Sequence, residues 1–182
     1  MSNWKIDPIH SEIKFKVKHL VISTVTGLFR KFDAAIETNT DDFSDAKITF
    51  EADINSIDTR NEMRDTHLKS ADFFDAENFP KMIFVSKSIA KKSEGEFEVT
   101  GDMTIRGVTK EIKLDVDYNG KALGMDGSEL AGFDIKGKLK RLEFGLHWNA
   151  LTEAGGLAVS DDVKIEISAE MKKQPLAVKD AA

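Results

Sequence analysis

Most of this chain alternates apolar and polar residues with a period of two, the pattern of β-strands buried on one face. From Ser11 to Lys18, Ile13, Phe15 and Val17 fall on one face and Glu12, Lys14, Lys16 and Lys18 on the other. His19-Leu20-Val21-Ile22 interrupts the alternation, and Gly27 is expected to bend the chain into a second strand through Phe29, Phe32 and Ile36. Asn39-Thr40-Asp41-Asp42 reads as a polar turn, after which Ala46, Ile48, Phe50, Ala52 and Ile54 share one face. Alternation resumes at Met82, where Met82 and Phe84 oppose Ile83 and Val85; with both faces apolar, something is expected to cover the outer one. Phe97, Val99, Gly101, Met103 and Ile105 follow, then a tight turn at Arg106-Gly107-Val108 and a strand with Ile112, Leu114, Val116 and Tyr118 inward. Past a Gly-rich loop from Asn119 to Ser128 come Ala131, Phe133, Ile135, Gly137 and Leu139, and finally Val163, Ile165, Ile167, Ala169 and Met171.

Eight strands, adjacent in sequence and joined by short turns, predict an all-β fold, an antiparallel barrel that closes and so leaves no exposed edge. A barrel of this size is either filled by side chains or wide enough for one slender ligand, and the pattern leaves that choice open. If a ligand is held, the inward candidates are Phe15, Ile48, Phe50, Phe84, Phe97, Val99, Met103, Ile112, Leu114, Phe133, Ile135, Ile165 and Ile167.

Two stretches depart from the pattern. Arg64 to Asp75, closed by Phe79-Pro80, crowds charges, a histidine and two adjacent phenylalanines into one span. Thr59-Arg60-Asn61-Glu62 has the capping-box form, which predicts a short helix from Arg60 to Lys69 in a helical segment near residues 60–75. Asp72 is expected to cap a further turn around Phe73 and Phe74, and Pro80 to end it. This span is expected to plug or rim the barrel, with Phe73, Phe74 and Phe79 sealing one end or covering the Met82 strand. Arg60, Arg64, His67 and Lys69 either meet a ligand's polar head or fasten the helix to the rim. The second stretch, Phe144 to Asp161, carries Leu146, His147, Trp148, Leu151, Leu157 and Val159 around Gly155-Gly156. It is too long for a plain turn, and reads as a cover over the cavity mouth or as a loop packed into the barrel end; Trp148 joins the rim candidates.

The 182 residues fit one domain, residues 1–172, with a polar, proline-interrupted tail over 173–182. A hydrophobic share of 41% with 32% charged residues describes a soluble globular chain, and a net charge of -6 argues against a nucleic-acid partner. The absence of cysteine excludes disulfides, thiol catalysis and Cys-based zinc sites. Met1 to Pro8 has neither a basic start nor an apolar run, so a cytoplasmic location is expected, although a leader-trimmed periplasmic form would read alike. No apolar run is long enough for a membrane-spanning helix. Gly132 to Lys138 matches the first seven positions of a phosphate-binding loop, but Leu139 stands where a magnesium-reaching hydroxyl belongs. His10, His19, His67 and His147 show no metal-binding spacing, and there is no Gly-x-Ser-x-Gly elbow. No metal, cofactor or catalytic centre is expected. His67 with Asp65, Asp72 and Asp75 is the one local cluster, and on a short helix it reads as caps and ion pairs.

Several longer motifs, in order, resemble the YceI family of lipocalin-like polyisoprenoid-binding proteins. They are Trp4-Lys5-Ile6-Asp7 with His10-Ser11-x-Ile13-x-Phe15, the span Arg64 to Asp75 with Phe79-Pro80, Thr104-Ile105-Arg106-Gly107-Val108-Thr109-Lys110, and Leu142-Glu143-Phe144-Gly145. Glu143 departs from the family's usual Asp. The resemblance implies an extended eight-stranded lipocalin-like barrel, usually a homodimer, that holds a polyisoprenoid, an isoprenoid quinone or another long-chain lipid. It also implies a link to stress responses. The reading is then a non-enzymatic carrier, store or sequestering protein. An enzyme acting on a lipid in the barrel, with His67 as acid or base, and a structural protein with a filled core are the rival readings.

Overall fold

The computed structural model describes residues 1–176. Among them are eleven strands: β1 (Ser2–Ile6), β2 (Glu12–His19), β3 (Ser23–Phe29), β4 (Phe32–Thr38), β5 (Lys47–Asp53), β6 (Ile57–Asp58), β7 (Lys81–Ser93), β8 (Glu96–Ile105), β9 (Val108–Leu123), β10 (Glu129–Lys140) and β11 (Val159–Lys173). One α-helix, α1 (Glu62–Lys69), lies between β6 and β7. The order β1-β4-β5-β7-β8-β9-β10-β11 returns to β1, and every pairing is antiparallel. This is the closed eight-stranded barrel. β2, β3 and β6 continue the lines of β1, β4 and β5, with β2 on β11, β3 on β2 and β6 on β3. Three of the eight staves are therefore broken in two.

The breaks correct two sequence readings. β1 shows only two inward residues, Trp4 and Ile6, too few for periodicity to reveal, yet it closes the barrel between β4 and β11. The bend expected at Gly27 lies instead at Arg30-Lys31, where the Ser56 carbonyl and hydroxyl accept the N–H groups of Arg30 and Lys31. Phe29 and Phe32 both turn inward, and a spacing of three cannot do that within one period-two strand. Gly27 has another use. A Cβ there would sit 2.1 Å from the Phe15 ring across the β2–β3 pair. The tail expected from residue 173 also begins later. Lys173 pairs with Trp4 and the Gln174 N–H donates to the Asn3 carbonyl at 2.7 Å; residues 177–182 of that tail lie outside the described residues.

The helix starts at Glu62 and is capped by Asn61, whose Oδ1 accepts the Arg64 N–H at 2.9 Å, so the capping box at Thr59 does not form. Thr59 lies buried, and its N–H and hydroxyl both donate to Asp65. Nor does Asp72 cap the turn after the helix. Ser70 opens it through the Phe73 N–H, while the Asp72 carboxylate meets His67 at 2.9 Å. The outer face of β7 is not covered as expected either: Ile83 and Val85 are 39% and 45% exposed. Arg106 and Gly107, both at positive φ, make the two-residue β8–β9 hairpin that the sequence predicts.

Candidate functional site

The inward stripes enclose a cavity of about 230 Å3. A single water needs only about 10–15 Å3 of such space. Its lining is apolar nearly throughout. Twelve of the thirteen interior candidates reach it: Phe15, Ile48, Phe50, Phe84, Phe97, Val99, Met103, Leu114, Phe133, Ile135, Ile165 and Ile167. Ile112 does not. It is buried in the same core but stops short of the open space.

One end of the cavity is closed by aromatic rings. Phe43 projects from the β4–β5 connection with centroids 5.3 Å from Trp4, 5.3 Å from Tyr118 and 5.1 Å from Phe133. A phenylalanine at φ 61° is strained, and it is held there because its ring fills the barrel end. Asp45 ties the connection down by accepting from the Thr38 hydroxyl and the Asn39 and Thr40 N–H groups. The Thr38 hydrogen bond, first among these, holds the Asp45 carboxyl well below the usual range. Lys121 Nζ stands 5.6 Å from the Trp4 ring and 5.7 Å from Phe43, with Asp41 and Glu129 as its anionic partners. Trp4 Nε1 is buried without a hydrogen-bond partner among the described residues.

The opposite end is closed by α1, the turn that follows it, and the β10–β11 connection. Leu68, Phe73 and Phe74 face the cavity from the first two, and Phe144 and Leu146 from the third. Two arginines fasten these pieces through backbone carbonyls. Arg106 Nη1 donates to the Phe73 carbonyl at 2.7 Å and to that of Gly145 at 3.4 Å, joining the helical span to the connection. Arg141, 4% exposed, donates to Leu146 and Trp148 on the outgoing limb and to Val159 and Ser160 on the returning one, at 2.7 to 3.1 Å. Burial lowers the pKa of this guanidinium, which remains charged; Asp161 opposes the shift. Lys14 is the other charged side chain on the lining, and its ammonium is paired with Glu12 at 2.9 Å.

The five rim candidates surround this end without reaching the cavity. Arg60 is exposed. Arg64 Nε and Nη2 donate to the hydroxyl and carbonyl of Thr59 at 2.7 Å, which fastens the helix to the strand before it. His67 is paired with Asp72 and stacks edge-on against Phe73 and Trp148, with centroids 5.1 and 4.7 Å away. Lys69 is half-buried in the last turn of α1. Trp148 packs on Phe73 at 5.3 Å. Of the two readings given to the long connection, packing into the barrel end holds for Phe144 and Leu146, whereas Leu151 and Leu157 stay exposed and off the cavity lining. Sequence reasoning missed Phe43 and Arg141. A lone phenylalanine inside a polar turn was the available signal for the first. Nothing local distinguishes Arg141 from the solvated lysines before it.

A YceI-like domain model matches residues 4–171 of the chain. The chain belongs to the YceI-like family. A UPF0312 protein of Staphylococcus aureus (strain USA300) is 43% identical over 171 residues, 93% of this chain and 97% of the relative. Among solved structures, a YceI protein of Campylobacter jejuni matches with TM-score 0.73 and 36% identity, covering 88% of this chain and 91% of that one. A polyisoprenoid-binding domain from Saccharophagus degradans, implicated in plant cell wall breakdown, shares the fold with TM-score 0.66 at 15% identity, over 94% and 98% of the two chains. The YceI-like barrel thus extends over β1 to β11 here, with the cavity at its centre.

Proposed function

We propose that this YceI-like protein binds a long-chain lipid of the polyisoprenoid type, such as a polyprenyl chain or isoprenoid quinone, in its interior, and acts as a carrier or store. The observation that carries the reading is a cavity lined by strand-borne apolar side chains and bounded at both ends. An apolar space of this kind offers water no hydrogen bonds and stays dry. Left empty at about 230 Å3, it forfeits packing on the order of 5 kcal/mol, taking about 24 cal/mol per Å3. A methylene chain restores those contacts and gains about 0.8 kcal/mol for each CH2 removed from water. The polyisoprenoid-binding domain that shares the fold supports this ligand class.

The tail lies along Phe50, Phe84, Val99 and Ile167, and the head points to the end where the Arg141 guanidinium lies on the cavity lining. The protein returns its lipid unchanged: His67, the histidine of α1 at this end, is turned to Asp72 and two aromatic rings rather than to the cavity. Lipid extraction and mass spectrometry on protein purified from its own host test the reading. The expected result is a co-purifying isoprenoid lipid whose removal lowers the melting temperature. Protein that carries no lipid and takes none up on incubation with a polyprenyl alcohol would overturn it, in favour of a filled core. A lipid returned chemically altered would favour an enzyme.

A further inference from the structure

The β2–β3 hairpin closes on Leu20, Val21 and Ile22, and Leu20 (φ 51°) and Val21 (φ 68°) both stand in the left-handed region. Glycine or asparagine suits such positions in a hairpin, because a side chain there crowds the backbone and a β-branched one crowds it most. Folding alone therefore opposes these residues. What the turn achieves is presentation: Val21 and Ile22 are 79% and 85% exposed.

The tip has company. The Leu20 N–H donates to the Ala158 carbonyl at 2.9 Å, and His19 pairs with Val159, so the hairpin lies against the returning limb of the β10–β11 connection. In that connection Leu151 and Leu157 face each other across an isolated bridge, both exposed. The cavity reaches towards the same corner. Val17, three positions before Leu20, and Val159, two after Leu157, both line it. Single exposed aliphatic residues need no explanation, but a group of them beside the mouth of an apolar cavity does.

We propose that this corner is a membrane-docking surface, where Leu20, Val21 and Ile22 with Leu151 and Leu157 enter the headgroup–acyl boundary of a lipid bilayer and bring the cavity mouth to the membrane's apolar phase. The occupant is a bilayer rather than a protein. The patch holds aliphatic side chains without the tryptophan, tyrosine or arginine anchors on which protein interfaces turn, and it adjoins Val17 and Val159 on the lining of a cavity suited to lipid. Lys18 and His19, exposed at the base of the tip, lie at headgroup depth. With a net charge of -6, the chain docks by apolar insertion more than by charge, which gives weak and reversible binding. The purpose of docking rests on the lipid reading of the cavity; docking itself is measured without cargo.

The test is co-sedimentation of the full chain with phosphatidylcholine vesicles, comparing the unaltered protein with Val21→Asn/Ile22→Ser and with Leu151→Ser/Leu157→Ser. Asparagine suits the left-handed backbone, so the tip variant should melt at or above the temperature of the unaltered protein. The expected result is vesicle binding that falls about tenfold or more in the tip variant, and changes little with added salt. Unaltered protein that stays in solution, as a surface made for a protein partner or a second copy would dictate, overturns the proposal, as does a tip variant that binds equally well. Retention of a preloaded polyprenyl alcohol, measured without vesicles, should be the same in the unaltered protein and the tip variant. If it falls in the tip variant, these residues belong to the lipid site itself and the docking role fails; if neither protein retains the alcohol while vesicle binding behaves as expected, the lipid reading fails and docking stands.

Discussion

The two ends of the barrel are closed by different means. At the aromatic end Trp4, Tyr118 and Phe133 belong to strands β1, β9 and β10, and Phe43 is wedged among them at 5.1 to 5.3 Å. Opening that end means parting the sheet. At the other end the closing pieces are α1 and the β10–β11 connection, outside the sheet and held largely by two arginines that donate to backbone carbonyls. Few of the connection's residues are buried, and segments of that kind open at a fraction of the global free energy. One end is therefore a wall and the other a gate.

Removing the wedge should have the largest effect on stability. Phe43→Ala is expected to cost about 3–5 kcal/mol, the range for a buried aromatic cut to alanine, read from chemical denaturation. Arg141→Met comes next at roughly 2–4 kcal/mol, because the four carbonyls it frees are rehydrated when the connection lifts instead of staying buried and unpaired. The order reverses for traffic. Arg141→Met should speed release of a bound polyprenyl alcohol and raise amide hydrogen exchange across residues 146–159, while Phe43→Ala should do less to both. Faster release from Phe43→Ala than from Arg141→Met would break the distinction between wall and gate.

A smaller effect sharpens what the wall is made of. The Trp4 indole N–H is buried and without a partner among the described residues, so its ring serves by volume and by the lysines near its face, Lys121 at 5.6 Å and Lys173 at 5.7 Å. Trp4→Phe loses part of that volume but also relieves an unmet donor. The expected loss is about 1 kcal/mol or less, well under the usual range for a truncated core aromatic. A loss as large as that of Phe43→Ala would mean that the indole N–H is satisfied in solution.

The wall was more legible in the sequence than the gate. Strand periodicity placed Phe133, Ile135 and Ile167 inward because a strand's two faces follow from residue parity alone. Even the broken staves left a trace, since Phe29 and Phe32 cannot both point inward without a slip between them. The gate had no such rule. For Arg64 and His67 the charge-rich span left two readings, head-group contact or fastening of the helix, and the partners that favour fastening, the carbonyl of Thr59 and the rings of Phe73 and Trp148, are fixed by chain folding rather than by spacing. Arg141 was invisible for the same reason: its four acceptors lie on two limbs of a long connection. The motifs that resemble the YceI family marked this end as distinctive, yet did not say which of its residues close it.

The smallest expected effect tests whether the wall has a joint of its own. Where β1 gives way to β2, His10 Nδ1 lies 2.9 Å from Asp7 and 3.6 Å from Glu170, and the Ser11 hydroxyl oxygen accepts the Glu170 N–H. The hydrogen bond to Asp7, then the charges of Asp7 and Glu170, raise the pKa of His10 above 6.5. A raised value means that the folded state holds the proton more tightly than the unfolded one. The stabilisation is therefore complete below about pH 6.5 and is lost as pH rises through the folded-state value. Asp7 shifts the other way, mainly through the same hydrogen bond, so its share is present above 3.8 and is lost in acid as pH falls through its lowered value. His10→Gln should accordingly melt below the unaltered protein near pH 6 and level with it near pH 9. Asp45 predicts the contrast at the aromatic end, because its lowered pKa keeps that closure intact until well into acid and indifferent to the alkaline range. A gap between His10→Gln and the unaltered protein that stays constant from pH 6 to 9 would mean that the histidine holds the joint by shape, not by charge.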